Sequence, residues 1–496
     1  MQERLAYRFG PLERRGLLGP IRAGQAIVVA TGLLLAIGIL DQSPSATGAL
    51  VATLAFGVAV ALAVTPVARR TAEEWAPVVA SFALRCALGR ARFRSEVPTR
   101  GATASLRGGR AILNQPDAQP PPALRGVRIV EADYRRGSLG VLVSARGRRV
   151  VAVLACRVTA FALLDAEAQE RRLAKWGLVL SSAAGTAVRR IQWIERTVPA
   201  QGDELARWVA AERDPAIPLR GTAIIDSYLE LIGASARISH EHEILVALEL
   251  DSRRVRDRGL DGAIRALTEQ AERIAHGLEA AEVKVLGALG PSQLARALRT
   301  AFDPYARAEL AVLETADPER DGVDQAGAWP LGAAERWDHY QSDGALHATF
   351  WIGGWPRVDV SPMFMDALLG RSSIVRTVAV TFEPVAPDRS TREVEAAITR
   401  DRADREIRRR LGQSETARQR QAEEATAQRE SELAAGHSEV RLAGFVTVTG
   451  RDRDDLRRAC SEVHEHAARA RLELHRMYGQ QAEAFTFTLP LCRGLR

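Results

Sequence analysis

Residues 23–40, AGQAIVVATGLLLAIGIL, and residues 46–65, ATGALVATLAFGVAVALAVT, carry no charged side chain. Eighteen residues of helix rise about 27 Å, enough to cross a hydrocarbon core. The five residues between them, DQSPS, include a proline and leave room only for a tight turn. In lipid both stretches must be helical, because an unpaired backbone group there finds no water. A cleaved signal peptide would not have a 22-residue basic lead and a second apolar run behind it. The remaining alternative is a helical hairpin buried in a water-soluble core.

Arginine placement orients the hairpin. Arg4, Arg8, Arg14, Arg15 and Arg22 precede it, Arg69, Arg70, Arg85, Arg90, Arg92 and Arg94 follow it, and the turn holds only Asp41. The positive-inside rule then puts both ends, and both termini, on the cytoplasmic side of a multi-pass plasma-membrane protein. Downstream, TAEEWAPVVASFALRCALGRARFR reads as an interfacial helix with Trp75, Val78, Val79 and Phe82 near one face. Arg14, Arg15, Arg22, Arg69, Arg70, Trp75, Phe82 and Arg85 are the candidate membrane-surface residues, suited to anionic headgroups. An ordinary helix packed on the body would read the same way.

The formal charge of +7 is uneven: residues 1–110 hold 14 arginines and 6 acids, which leaves the rest of the chain near neutral. Only Lys175 and Lys284 are lysines, a bias that reflects genome composition more than guanidinium chemistry. Aromatics at 5% and a neutral body speak against direct nucleic-acid binding. Cys86, Cys156, Cys460 and Cys492 form no CxxC pair and are expected as free thiols.

Residues 1–94 are therefore read as the membrane module and 95–123, rich in Gly, Ser, Pro and Gln, as a flexible linker. From Leu124 the pattern alternates strands with helices. An α+β domain is expected over 124–305, a loop-rich connector over 306–345, and a second α+β domain over 346–496. In the first, GVRIVEAD, SLGVLVSARG, RVVAVLACRV, RRIQWIERTV and HEILVALELD read as strands. Helices are expected at 165–184, around 203–211 and 220–234, and at 259–282. In the second, HATFWIGGWPRV, VRTVAVTFEPV, EVRLAGFVTVTG and AFTFTLPL read as strands and Arg453–Tyr478 as a helix. Residues 391–435, with ten arginines and ten acids, read as a charged helical insertion. The whole resembles ferredoxin-like α/β sandwich units, the first half related to the second.

Catalytic motifs are missing from this reading. The sequence has no Gly-Lys pair, hence no phosphate-cradling loop with its lysine, and no GxSxG or HExxH. His240 and His242 share a strand face without a further ligand set, and His464 and His466 sit two apart on a helix. No catalytic, cofactor or metal residue is assigned. Trp351, Gly353, Gly354 and Trp355, within WIGGWP, are the candidate docking residues for a partner protein, against the alternative of a strand turn anchored in the core.

Five stretches carry a family resemblance: YRFGPLERRGLLG before the hairpin, WIGGWPRVDVSPMFMDALL, RTVAVTFEPV, RESELAAGHSEVRLAGFVTVTG and YGQQAEAFTFTLPLCRGLR. They resemble an actinobacterial family encoded with conjugation-type (type IV) secretion components. In it, the hairpin is similar to PrgI-type membrane proteins. The body is similar to the non-ATPase N-terminal half of the TrbE/CagE class of conjugation ATPases. The resemblance implies a non-catalytic, membrane-anchored scaffold for conjugative DNA transfer. It would dock a conjugation ATPase in trans, contact other secretion-complex subunits and further copies of itself, and end where the motor domain would begin. The alternative resemblance is to the EccE-like membrane component of type VII secretion, which also has two N-terminal membrane helices and an α/β body.

Overall fold

The computed structural model describes residues 23–65, 70–95, 103–107, 110–114, 119–135, 137–144, 147–158, 161–199, 240–257, 259–307, 325–356, 360–370, 372–410, 426–431 and 438–495, with single residues 227, 310, 420 and 433. The helices expected around 203–211 and 220–234, and most of 411–435, lie outside them. The chain separates into two units, one within Pro11–Ala91 and one carrying Arg92–Arg496.

Among the described residues the first unit holds three helices: α1 (Ala23–Gln42), α2 (Ala46–Val64) and α3 (Ala72–Ala87). The α1–α2 turn is fixed by Ser45, whose Oγ accepts the Gly48 N–H at 3.1 Å and caps α2. The helices touch at Gly32, where an added Cβ would lie 2.3 Å from the Ala59 Cβ. Only a hydrogen fits at that crossing. α3 opens with a capping box in which the Thr71 N–H donates to Glu74 Oε2 at 3.2 Å.

The second unit is built on a 13-stranded antiparallel sheet, counted among the described residues. Its first half runs β4 (Arg128–Tyr134), β5 (Gly137–Ser144), β6 (Arg149–Val158), α4 (Ala166–Ala183), β7 (Val188–Pro199), β8 (His240–Asp251), α5 (Leu260–Ala280), β9 (Val283–Ala288) and α6 (Pro291–Phe302). The second half runs β10 (Gly332–Glu335), β11 (Tyr340–Ser342), β12 (Ala345–Gly354), α7 (Asp366–Leu369), β13 (Val375–Pro384), α8 (Pro387–Arg410), β14 (Val440–Gly450), α9 (Arg453–Arg469), β15 (Glu473–Arg476) and α10 (Gln481–Phe485). Before them come β1 (Arg92–Arg94), on the edge of β10, and a separate hairpin of β2 (Thr103–Arg107) and β3 (Arg110–Asn114).

The two halves repeat one connectivity. Each opens with a strand meander, β4-β5-β6 or β10-β11-β12. Each then continues strand–helix–strand, a connection that in the second half carries α8, and strand–helix–strand, with spatial order β9-β6-β8-β7 in one and β15-β12-β14-β13 in the other. The second strands of the two halves, β7 and β13, pair antiparallel from Ile191↔Phe382 to Thr197↔Arg376 and fuse the halves into one sheet. Stretches 124–305 and 346–496 thus share a sheet, and the connector 306–345 contributes β10 and β11 to it.

Alternation along the strands divides the core. On one face Ile191, Val246 and Leu248 pack with α4 and α5, and Val378, Val446 and Phe350 pack with α7 and α9. On the other, Ile194, Ala247 and Ala379 meet α6, Phe485 and the segment Leu489–Cys492. Each such aliphatic burial stabilises by roughly 1.5–3 kcal/mol. The 12 residues of α6 span about 18 Å. Its N-terminal end lies against β5, where a Cβ on Gly140 would come 2.9 Å from the Gly290 carbonyl oxygen. At its other end Arg299 bonds Asp343 and the Trp329 carbonyl beside β10 and β11. Strands near opposite ends of the sheet therefore lie within one short helix of each other, and the sheet coils around α6.

Two C-terminal expectations are corrected. The helix from Arg453 ends at Arg469, not Tyr478, because Arg471 adopts φ 56°; the chain reverses there and β15 pairs with β12. AFTFTLPL is not a strand. Residues 481–485 form α10, and the Thr486 and Thr488 hydroxyls donate back to the carbonyls of Glu483 and Phe485. Side-chain bonds of this kind compete with a ladder.

Candidate membrane anchor and docking surfaces

α1 and α2 owe their length to uninterrupted apolar sequence, and their surfaces remain open. Spans Gly24–Gln42 and Ala46–Val64 have mean hydropathy 1.9 and 2.2, yet only 11% and 17% of each is buried. A hairpin inside a water-soluble core would be mostly covered. Here Ile27, Leu34, Leu50, Leu54 and Val64 all stand out from the pair. Water disfavours so large an apolar surface, and acyl chains would cover it. The one polar tie across the pair among the described residues, Gln25 Nε2 donating to the Ala63 carbonyl at 3.0 Å, sits where α1 begins and α2 ends.

Of the candidate surface residues, Arg14, Arg15, Arg22 and Arg69 lie outside the described residues. Arg70 stacks its guanidinium 5.3 Å from the Trp75 ring centre, and Arg85 lies 6.0 Å from that of Phe82. Trp75, Phe82 and Arg85 are half-buried and Val78 is buried, so this stripe of α3 is not fully open. The apolar side chains that α3 leaves exposed are Val79, Leu84 and, just beyond it, Leu88.

WIGGWP sits at the end of β12. A bulge between Ile352 and Gly354 shifts the register against β15. The glycines permit that approach: a Cβ on Gly353 would come 2.6 Å from the His475 ring, and one on Gly354 2.8 Å from Glu473. Trp351 stays on the His475 side, with ring centres 5.6 Å apart. Trp355 packs with Ile352 and closes over Gly444 on the opposite face. The structure brings Trp351 to Gly353 and His475 but does not bring the two tryptophans together.

Several buried and half-buried polar groups hold the fold together. Arg196 and Arg307 flank Glu243. Arg196 lies 3.2 Å from it and bonds the Ala297 carbonyl, and Arg307 also reaches Glu241 at 3.0 Å. Burial works to raise the Glu243 pKa, but the two guanidiniums hold it below the ordinary carboxylate range. His347 is fully enclosed: Nε2 lies 2.9 Å from the Phe302 carbonyl, and Nδ1 accepts from Thr449 Oγ1 at 2.9 Å. Burial pushes its pKa down to about 4. Burial also lifts Cys156 to about 12 and raises Cys460 and Cys492, which keeps these thiols protonated and inert. His242 is engaged by Glu195 at 3.2 Å. Among the described residues no group of three or more His, Cys, Asp or Glu side chains could hold a metal. These clusters bear no sequence motif; each joins residues 40 or more positions apart, a relation that only the folded sheet creates.

Residues 229–352 match the family model "Putative type VII ESX secretion system translocon, EccE". The match covers about a quarter of the chain, from the run-in to β8 through α5, β9 and α6 to most of β12. No curated protein matches the chain. The EccE match overturns the resemblance to conjugation-type (type IV) secretion proteins. The conjugative DNA-transfer role, the PrgI-like reading of the hairpin and the conjugation ATPase as partner fall with it. Both resemblances draw on an apolar hairpin before an α+β body, and the stretches behind the first carry no recognised motif that would tell them apart. The EccE-like alternative is the reading the match supports.

Proposed function

We propose that this chain is a non-catalytic membrane component of a type VII (ESX) secretion translocon. The match to the EccE model over residues 229–352 carries the reading. The exposed apolar helices α1 and α2 support it, since they supply a means of holding the body at a bilayer. On this reading both hairpin ends face the cytoplasm, as the flanking arginines require, and the short turn around Asp41 lies on the far side.

The body then hangs on the cytoplasmic side as two ferredoxin-like units. The 4-1-3-2 strand order within each half supports this description. Its role is mechanical: the sheet, coiled around α6, is a stiff support against which other translocon subunits, and further copies of the chain, are positioned. The two strand-2 to strand-3 connections, after Pro199 and after Pro384, leave from opposite ends of the β7–β13 pair and are suited to reach separate neighbours.

The test is an in-frame deletion, complemented by the full-length chain. Loss of small WxG-type substrates from the culture medium, restored on complementation, is the expected outcome, together with co-purification of other translocon subunits from detergent-solubilised membranes. Unchanged secretion in the deletion strain, or turnover of nucleotide by the purified chain alone, would overturn the reading.

A further inference from the structure

The repeated connectivity makes the two ends of the sheet comparable, and they are not finished alike. β10 stands to β11 and β12 as β4 stands to β5 and β6. The outer edge of β10 is covered: Arg92, Phe93 and Arg94 of β1 pair with Ala334, Ala333 and Gly332. The equivalent outer edge of β4 ends the strand order, and among the described residues no strand pairs with it. Seven residues of backbone are presented there, Arg128–Tyr134, long enough to template another strand.

β4 also presents an ordered set of side chains. Val130, Ala132 and Tyr134 are half-buried and pack with the core under α4 and α5, while Glu131 and Asp133 are exposed on the opposite face. A strand added antiparallel to β4 would set alternate side chains opposite these two rows. The row of Val130, Ala132 and Tyr134 offers apolar contact and begins at the exposed Arg128; the other row adds two carboxylates to the buried Ile129.

A second copy of β4 fits this edge poorly. Antiparallel pairing centred on Glu131 sets Glu131 against Glu131, and pairing centred on Ala132 sets Glu131 against Asp133. Like charges directly opposite are destabilising. On the equivalent edge the added strand is itself basic–apolar–basic, Arg92–Phe93–Arg94, with its arginines opposite Ala334 and Gly332.

We propose that the outer edge of β4 is a strand-addition site for an extended segment of a partner protein in which basic residues alternate with apolar ones. Main-chain hydrogen bonds along Arg128–Tyr134 supply the affinity, and Glu131 and Asp133 select the basic side chains. This site does not depend on the secretion assignment, because its evidence is the comparison of the two sheet edges.

The test uses purified full-length protein in detergent and three fluorescein-labelled octapeptides: alternating Arg-Val, alternating Glu-Val and alternating Arg-Pro. Anisotropy should show binding of Arg-Val alone. Amide exchange should slow within Arg128–Tyr134 when it is added. The exposed double variant Glu131→Arg with Asp133→Arg should lose at least tenfold in affinity for Arg-Val and gain affinity for Glu-Val. The proposal is overturned if Arg-Val does not bind, or if Arg-Pro, with the same charge but no N–H to donate at proline, binds equally well. It is also overturned if charge reversal changes nothing, or if Glu131→Cys yields a disulfide-linked dimer of the chain.

Discussion

The side-chain oxygen of Gln192 accepts the backbone N–H of Cys492 at 2.8 Å, across 300 residues of sequence. The same amide donates through Nε2 to the Phe487 carbonyl at 2.8 Å, so one fully buried glutamine in β7 holds both ends of a C-terminal turn. Neighbouring side chains reinforce this hold. Arg190 donates to the carbonyls of Cys492 and Leu495, and Thr381 of β13 donates to that of Arg493. Strands from both halves of the sheet grip one segment.

Gln192→Leu should therefore unseat that segment. It leaves a buried N–H and a buried carbonyl unpaired, at roughly 1–3 kcal/mol each. Chemical unfolding followed by tryptophan fluorescence should show the loss, and trypsin should cut at Arg493 faster. Unaltered unfolding and cleavage would mean the clamp contributes nothing.

His347 predicts a pH dependence. Its folded pKa, about 4, lies below the ordinary histidine value, so the unfolded chain binds the proton that the folded chain refuses. Stability should be complete above about pH 6.5 and fall as pH drops toward 4, by up to about 3 kcal/mol. Unfolding midpoints measured from pH 7 to 4.5 should fall less steeply in His347→Asn. An equal slope in both proteins would remove His347 as the cause.

At the Arg307 cluster a single deletion should be worse than a double. Arg307→Met leaves the half-buried Glu243 and Glu241 with less compensation, at about 1–3 kcal/mol after solvent screening. Adding Glu243→Gln should restore part of that, because the stranded charge is removed. Additive losses in a double-mutant cycle would show that the two side chains are not coupled.

The hairpin makes two separable predictions. Leu34→Asp places a charge in the exposed middle of α1, where it costs about 2.5–3.5 kcal/mol in lipid, and should move protein from the carbonate-resistant to the soluble fraction. Gly32→Val should leave insertion intact but disrupt the crossing at Ala59, seen as loss of a disulfide engineered between the helices. If Leu34→Asp stays in the membrane pellet, lipid does not surround α1.

The elements are legible in the sequence to different degrees. α1 and α2 stand out by runs without charge, and β13 and β14 by alternating Val and Thr, β-branched residues that favour strands. The ends of α9 and of the body depart from their sequence pattern for local reasons. Arg471 takes the conformation usually left to glycine, and threonines that favour strands fold back on their own carbonyls. The repeat is visible in sequence only as a suggestion of related units. Its evidence is the matching strand order of the two halves, set by pairings between residues far apart in the chain. No site residue can be read from a motif because the polar clusters are assembled across the sheet. The resemblance pointed to the wrong secretion class because its stretches carry no distinguishing chemistry.

The gripped C-terminal segment also sets the order of biogenesis. Residues 481–495 leave the ribosome after every strand they cover, while α1 and α2 emerge hundreds of residues earlier. With synthesis at about 5–20 residues per second, the nascent body spends many seconds with the floor beneath Ile194, Ala247 and Ala379 uncapped. During that interval the chain is a natural client for chaperones, and a product stalled before Gln481 would be marked for proteolysis by its open core.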